Sequence, residues 1–349
     1  MRLYFFILDN FRKMCYNINM ETKTITIENF INKPLTIELM ITRKCCYYCR
    51  HCMYDCGPKE SNQYMSDEVL KKVKKQINFL KELNINVFIN LVGGEPTINF
   101  DKFSHILDKV MTWNVSVTMT TNGWWLNSKK NIERFFAIIS KYASPDGKSN
   151  YHSRSNNGFN IRISDDPFHE EQREIKNIRN ALYEIFNDEE LIEKYKIPIP
   201  DIQDPWLWRQ VYDERYYISP NGRGRDVTNI FEWIEKYSLD GNFCMRNFTG
   251  FENIHYEPNG DISDSCGYGS LYDFGTVDDN ILFIINLIWL YKAERWKKKD
   301  IQKFTCSNCR EMVKEWKDNN LKNYKMFLID LNTMDAERFA KNYNYIYGT

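Results

Sequence analysis

The chain has 349 residues, 43% of them hydrophobic and 27% charged, enough to bury a sizeable core in one large domain or two smaller ones. Its 47 basic and 47 acidic residues cancel to a formal net charge of zero. No global field then favours nucleic acid or an anionic membrane, and neither partner is expected. The run "LYFFIL" near the N-terminus is short for a signal-peptide core, and no small-residue cleavage site follows it. "ILFIINLIWLY" at 281–291 is too short to span a bilayer and reads as a buried helix. A cytoplasmic location is therefore expected, where clustered cysteines more often bind metal than form disulfides.

After a possible first strand, "KTITIENF", an alternation of strands and helices begins. "LTIELMIT" reads as a strand running into a cysteine-rich loop. "SDEVLKKVKKQINFLKELN" follows as an amphipathic helix with Ser66 as N-cap and Asp67 and Glu68 in its first turn. "NVFINLV" is a strand ending in "GGEP", "FDKFSHILDKVMTW" a helix, and "VSVTMT" a strand ending in "TNG". "KKNIERFFAIISKYA" is a helix, "GFNIRIS" a strand ending in "DDPFH", and "EEQREIKNIRNALYEIF" a helix over 170–186. Strands separated by helices predict a parallel sheet, with polar residues gathered at one end of it, where α/β proteins place their sites. Residues 187–225 break the rhythm with prolines and aromatics; the part at 196–217 reads as a substrate lid or as a connection packed on the core. A helix, "VTNIFEWIEKYS", leads to "YEPNGD", which reads as a hairpin turn.

Five of the ten cysteines fall in the twelve residues "CCYYCRHCMYDC", Cys45 to Cys56. Two metal registers fit. Cys46, Cys49, Cys52 and Cys56 repeat the spacing of a bacterial ferredoxin. Cys45, Cys49 and Cys52 offer three thiolates and leave one iron of a cubane cluster without a protein ligand. Zinc is the rival, although structural zinc sites usually bring paired arms from separate segments.

The ordered set of Cys45/Cys49/Cys52, Gly93–Pro96, Thr121–Gly123 and Ser164–Asp166 resembles the radical S-adenosylmethionine (SAM) enzymes, over about residues 37–235. The resemblance implies a partial (β/α)6 TIM-like barrel. Cys45, Cys49 and Cys52 would hold a [4Fe–4S] cluster whose fourth iron is chelated by SAM. Reductive cleavage of SAM would then give a 5′-deoxyadenosyl radical that abstracts hydrogen from substrate. Gly93, Gly94, Glu95 and Pro96 would meet the methionine ammonium, with Asn122 and Ser164 as candidates for the ribose and methionine contacts. Arg162, Arg173, Arg223 and Arg225 are candidate cations for the SAM carboxylate. Where the family often has a large aromatic before its last cysteine, this chain has His51.

Cys244, Cys266, Cys306 and Cys309, spread around a hairpin, a helix and a CxxC pair, resemble the short auxiliary-cluster domain called twitch more than the longer SPASM form. A second [4Fe–4S] cluster and a small C-terminal α+β domain at 236–349 are the expectation, after an N-terminal segment at 1–36 and the core at 37–235. The rival for these four cysteines is structural zinc. The implied substrate is a peptide or small metabolite, and the implied electron donor a flavodoxin or ferredoxin. The 44 residues before Cys45 leave little room for a leader-binding domain upstream, which weighs against a peptide. A non-catalytic iron–sulfur electron carrier or a zinc-binding interaction protein is the alternative.

Overall fold

The computed structural model describes residues 35–82, 85–143, 146–147, 158–201, 207–211, 223, 253–264, 275–279, 281 and 284. Within them the expected alternation is present. β1 (Leu35–Met40) is followed by α1 (Asp67–Glu82), β2 (Val87–Val92), α2 (Phe100–Met111) and β3 (Ser116–Thr121). A 3-10 turn (Trp124–Asn127), α3 (Lys129–Ile139) and β4 (Phe159–Asp165) come next, then α4 (Pro167–Glu170), α5 (Ile178–Asn187) and α6 (Glu189–Tyr195). β5 (Leu207–Val211), β6 (Asn253–Tyr256), β7 (Asp261–Asp264) and β8 (Gly275–Thr276) complete one eight-stranded sheet in the order β5-β4-β3-β2-β1-β6-β7-β8. Six strands are parallel, while β7 and β8 are antiparallel additions beside β6.

Alternation along the strands gives the sheet two unlike faces. Ile37, Leu39, Ile89, Leu91, Val117, Met119, Ile161 and Ile163 form one core with the apolar stripes of α1, α2 and α3. The strand residues between them face the other way and are largely polar. The helices start where local chemistry predicts. The Ser66 hydroxyl accepts the Val69 N–H, Asn99 caps α2 and Ser128 caps α3.

The helix expected over 170–186 is two helices. Asp166 caps the single turn of α4, with Pro167 in its first positions, and the Asn177 side chain accepts the Asn180 N–H to start α5 afresh. Part of the segment read as a lid or packed connection is a strand, since β5 pairs with β4 in parallel. The hairpin at "YEPNGD" is present as β6 and β7, and β6 pairs with β1 in the same sheet as the core strands. Of the apolar helix expected at 281–291, Ile281 and Ile284 are described, and both are buried. The strand expected at "KTITIENF", the helix at "VTNIFEWIEKYS", and Arg225, Cys244, Cys266, Cys306 and Cys309 lie outside the described residues. No helix among the described residues is long and apolar enough to cross a membrane.

Candidate functional site

The site stands at the C-terminal ends of β1 to β4, on the face away from the helices. Met40 and Val92 form its floor, and Cys45, Cys49, Cys56 and Tyr47 pack on them, with Cys46 and Cys52 partly buried at the margin. Backbone contacts join the loop after β1 to the one after β2. Gly94 N–H donates to the Thr42 carbonyl and Glu95 N–H to the Lys44 carbonyl, both at 2.8 Å. A Cβ on Gly94 would stand 2.3 Å from the Lys44 oxygen, and one on Gly93 2.5 Å from the Thr42 oxygen. The two glycines of "GGEP" are thus required by the close approach of the cysteine loop.

Glu95 carries the connection on to β3. Its carboxylate is fully buried and accepts from the Thr97 and Thr121 hydroxyls, at 2.5 and 2.8 Å, and from the Thr97 and Asn122 N–H groups, at 3.1 and 2.8 Å. Burial pushes its pKa up, against these four bonds. Asn122 then turns its side-chain amide to the thiols. Its Nδ2 lies 3.5 Å from the Cys45 sulfur and 3.6 Å from the Cys46 sulfur, while its Oδ1 accepts the Trp124 N–H. "GGEP", "TNG" and the cysteines are therefore one hydrogen-bonded assembly.

Arg223 fastens the cysteine loop from outside. Its Nε donates to the Cys49 carbonyl, one terminal nitrogen to the Cys56 carbonyl and the other to Asp55, at 2.9, 2.6 and 2.8 Å. Its backbone N–H donates to the Cys52 carbonyl, and its guanidinium stacks on Tyr48 at 3.7 Å. Arg173 is also committed. Its side chain is buried and donates to the Ser164 carbonyl at 2.8 Å and the Asn122 carbonyl at 3.4 Å, joining the ends of β3 and β4. Arg223 thus turns two donors to backbone carbonyls and one to Asp55. Arg173 commits one terminal nitrogen to backbone carbonyls; its Nε and second terminal nitrogen are buried without a hydrogen bond among the described residues, the latter 3.6 Å from Asp165. Ser164 is buried at the end of β4, and Arg162 is half-buried on the polar face of the same strand.

The thiols have different surroundings. Burial, together with the neighbouring Cys45 and Cys52, pushes the Cys49 thiol up. A hydrogen bond with Cys45, with burial added, raises Cys46. The bond from Cys56 and the nearby Arg223 hold the Cys52 thiol low, while the same bond and burial raise Cys56. Next to this group, burial pushes His51 down to about 4. Its ring stacks on Phe168 at 4.6 Å.

Below the thiols the polar face carries a row that composition does not reveal. Asn160, Thr118, Asn90, Glu38, His255 and Ser263 stand side by side across β4, β3, β2, β1, β6 and β7. His255 is fully buried, with Glu38 and Glu257 each 3.5 Å from its ring nitrogens. Burial works against its charge, but the two carboxylates outweigh it and push the imidazole up to about 9. Arg43 pairs with Glu257 at 3.2 Å and donates to the Tyr54 carbonyl at 2.7 Å. The Tyr54 hydroxyl donates to Glu38, and its ring stacks on His255 at 5.0 Å. A charged network therefore joins β1, β6 and the cysteine loop. The sequence signal for it was alternation, "TIELM" and "NIHYE", each with an ionisable residue at an inward-facing strand position.

No protein-family profile matches the chain. A curated relative, Bacillus subtilis (strain 168) YydG, whose name assigns it provisionally to peptide biosynthesis, is 24% identical over 101 residues, 29% of this chain. The match spans 30% of that relative's own length. Among solved structures, BtrN in complex with AdoMet and 2-DOIA is similar with a TM-score of 0.43 and 12% identity, over 76% of this chain and 90% of that one. Native anSMEcpe with bound AdoMet and Kp18Cys peptide gives 0.42 and 17%, over 76% and 86%. Streptococcus suis SuiB bound to precursor peptide SuiA gives 0.36 and 14%, over 74% and 64%. Likenesses this faint leave the chemistry of the site to its own residues.

Proposed function

We propose that the chain is a radical SAM enzyme that modifies a peptide, with Cys45, Cys49 and Cys52 as ligands of its SAM-binding [4Fe–4S] cluster. The observation that carries this reading is the bonded assembly of Glu95, Asn122 and Cys45, which unites three separate sequence motifs at one end of the sheet. The residues fit a cluster: Cys45 and Cys49 are buried against Met40 and Val92, and Asn122 aims an amide at sulfur. When bound, the cluster supplies the electron that cleaves SAM, and the radical so released takes hydrogen from the substrate. The chain's own part is to hold the loop rigid through Arg223 and to fix the turn after β3 through Glu95. On this reading the six parallel strands curl as a partial barrel, and the polar row from Asn160 to Ser263 faces the substrate. The name of YydG supports a peptide over a small metabolite. Cys244, Cys266, Cys306 and Cys309 would hold an auxiliary [4Fe–4S] cluster that accepts an electron from the substrate radical.

The test is anaerobic reconstitution with iron and sulfide. The full chain is expected to carry about eight irons, as two clusters, and to form 5′-deoxyadenosine from SAM under reduction. Changing Cys45, Cys49 and Cys52 together to Ala should halve the iron and abolish SAM cleavage. Cys45→Ala alone should abolish it, while Cys46→Ala and Cys56→Ala should not; the reverse pattern would assign the ferredoxin register. Cluster-loaded protein that never cleaves SAM would point to an electron carrier instead.

A further inference from the structure

The polar face of the sheet holds acceptors that the fold does not supply with donors. Tyr54 and His255 both approach the same oxygen of Glu38, Oε2, at 3.1 and 3.5 Å. Among the described residues no hydrogen bond reaches the other oxygen, Oε1, although 12% of the Glu38 side chain is open to solvent. Asn90 stands beside Glu38 on β2, and its Oδ1 is buried with no partner among the described residues. Ser263 lies directly across from His255 on β7 and so shares its face. It is 3% exposed, and its Oγ is also unpartnered among the described residues. Buried polar atoms left unbonded are destabilising, and a row of them on one face calls for a ligand.

The charges agree. Three carboxylates, Glu38, Glu257 and Glu60, stand against two cations, protonated His255 and Arg43, which leaves one negative charge in excess. Arg43 is already divided between Glu257 at 3.2 Å and Glu60 at 3.5 Å. Glu38 is therefore the carboxylate with a free oxygen, and Tyr54 ties it to the cysteine loop above. From Asn90 to Ser263 is three strand spacings, roughly 14 Å, which about four extended residues would cross.

We propose that Glu38 and Asn90 bind a cationic group of the substrate, the ammonium or guanidinium of a lysine or arginine side chain, while the peptide crosses the strands towards Ser263. The peptide rests on the function proposed above, whereas the cation site at Glu38 does not. Glu38 then determines specificity: it sets which residue of a peptide is held below the cysteine loop.

The experiment measures binding of n-butylguanidinium to the reconstituted full chain by saturation-transfer NMR, without SAM or reductant. The cation should bind in the millimolar range, and its neutral isostere n-butylurea should not displace it. Glu38→Gln should weaken binding by roughly 10- to 100-fold, the share of a charged hydrogen bond. Asn90→Asp adds a carboxylate beside Glu38 and should tighten binding by about two- to fivefold, a gain that an unfolded variant cannot produce. Asp101→Asn removes an acid on α2 that is 85% exposed, and should change nothing. Butylurea binding as tightly as butylguanidinium would overturn the site, as would wild-type affinity in both the Glu38 and Asn90 variants. The peptide is tested by competition. Acetylated and amidated Gly-Gly-Lys-Gly-Gly should displace the probe at lower concentration than the same peptide with norleucine for lysine, and equal displacement would overturn the choice of a cationic peptide. SAM cleavage is read separately on the same preparation. Protein that binds the cation through Glu38 yet never forms 5′-deoxyadenosine would refute the enzyme reading and leave this site standing.

Discussion

The Glu95 carboxylate accepts the backbone N–H of Asn122 at 2.8 Å, and Asn122 in turn directs its side-chain amide at the Cys45 sulfur. A carboxylate from the turn after β2 therefore sets the residue after β3 that touches the thiols of the loop after β1. Glu95 accepts four hydrogen bonds and donates none. Replacement by Gln puts an amide NH2 where donors already point. Glu95→Gln should cost about 1–3 kcal/mol in urea unfolding of the full chain and lower the iron taken up on reconstitution. Wild-type stability and iron content in this variant would show that the turn after β3 is held by something else.

The close approach of Gly94 to the cysteine loop leads to a sharper test. A methyl group at 94 would meet three backbone atoms of Arg43 and Lys44 within 2.5 Å, and backbone cannot swing aside as a side chain can. Gly94→Ala should displace the loop, cost about 1–3 kcal/mol or more, and reduce cluster loading. The nearby Asn99→Ala serves as control, since it removes only the α2 cap, worth about 1 kcal/mol, and should leave iron content unchanged.

Arg223 offers a way to loosen the loop without touching a cysteine. Its guanidinium reaches Cys49, Asp55 and Cys56 at once. Lysine, a single compact charge, can replace only part of that fork. Both Arg223→Lys and Arg223→Ala should lose iron to an added chelator faster than wild type, the alanine variant more so. Equal rates across all three proteins would show that Arg223 does not brace the loop.

The sequence revealed the alternation because each strand has its apolar set at spacing two and each helix its stripe at spacing 3.6, patterns that a short window contains whole. The motifs at the strand ends were legible for the same reason. What the sequence hid was long-range. Nothing local in "GRGR" says that Arg223 reaches back to the cysteine loop, and nothing near Arg173 says that its guanidinium closes on the carbonyls of Asn122 and Ser164. The break at 171–177 was hidden too, because "EEQREIK" is mostly good helix formers; the caps at Asp166 and Asn177 override that propensity. Nothing local in "NIHYE" says that β6 pairs with β1 and sets His255 beside Glu38.

That pairing makes stability depend on pH. His255 rises from an ordinary 6.5 to about 9 in the folded chain, because Glu257 and Glu38 outweigh its burial. Its contribution is fully present below pH 6.5, where the imidazole is charged in both states, and fades as pH rises through about 9. A shift of this size corresponds to about 3 kcal/mol at the plateau. Glu257 works in the opposite sense. Burial opposes its charge, but His255 and Arg43 outweigh burial and hold its carboxyl below the usual 4.5, so its share is lost as pH falls through that lowered value. The network should therefore stabilise most between about pH 4.5 and 6.5 and weaken on both sides. Urea midpoints measured from pH 5 to 10 on wild type and His255→Gln isolate the imidazole, since the cysteines titrate alike in both proteins. The gap between the two midpoints should be widest near pH 6, shrink steadily as pH rises from about 6.5 to 9, and level off above that. A gap that stays constant from pH 6 to 10 would mean that His255 is neutral in the folded chain, and that Glu38 and Glu257 are balanced by Arg43 alone.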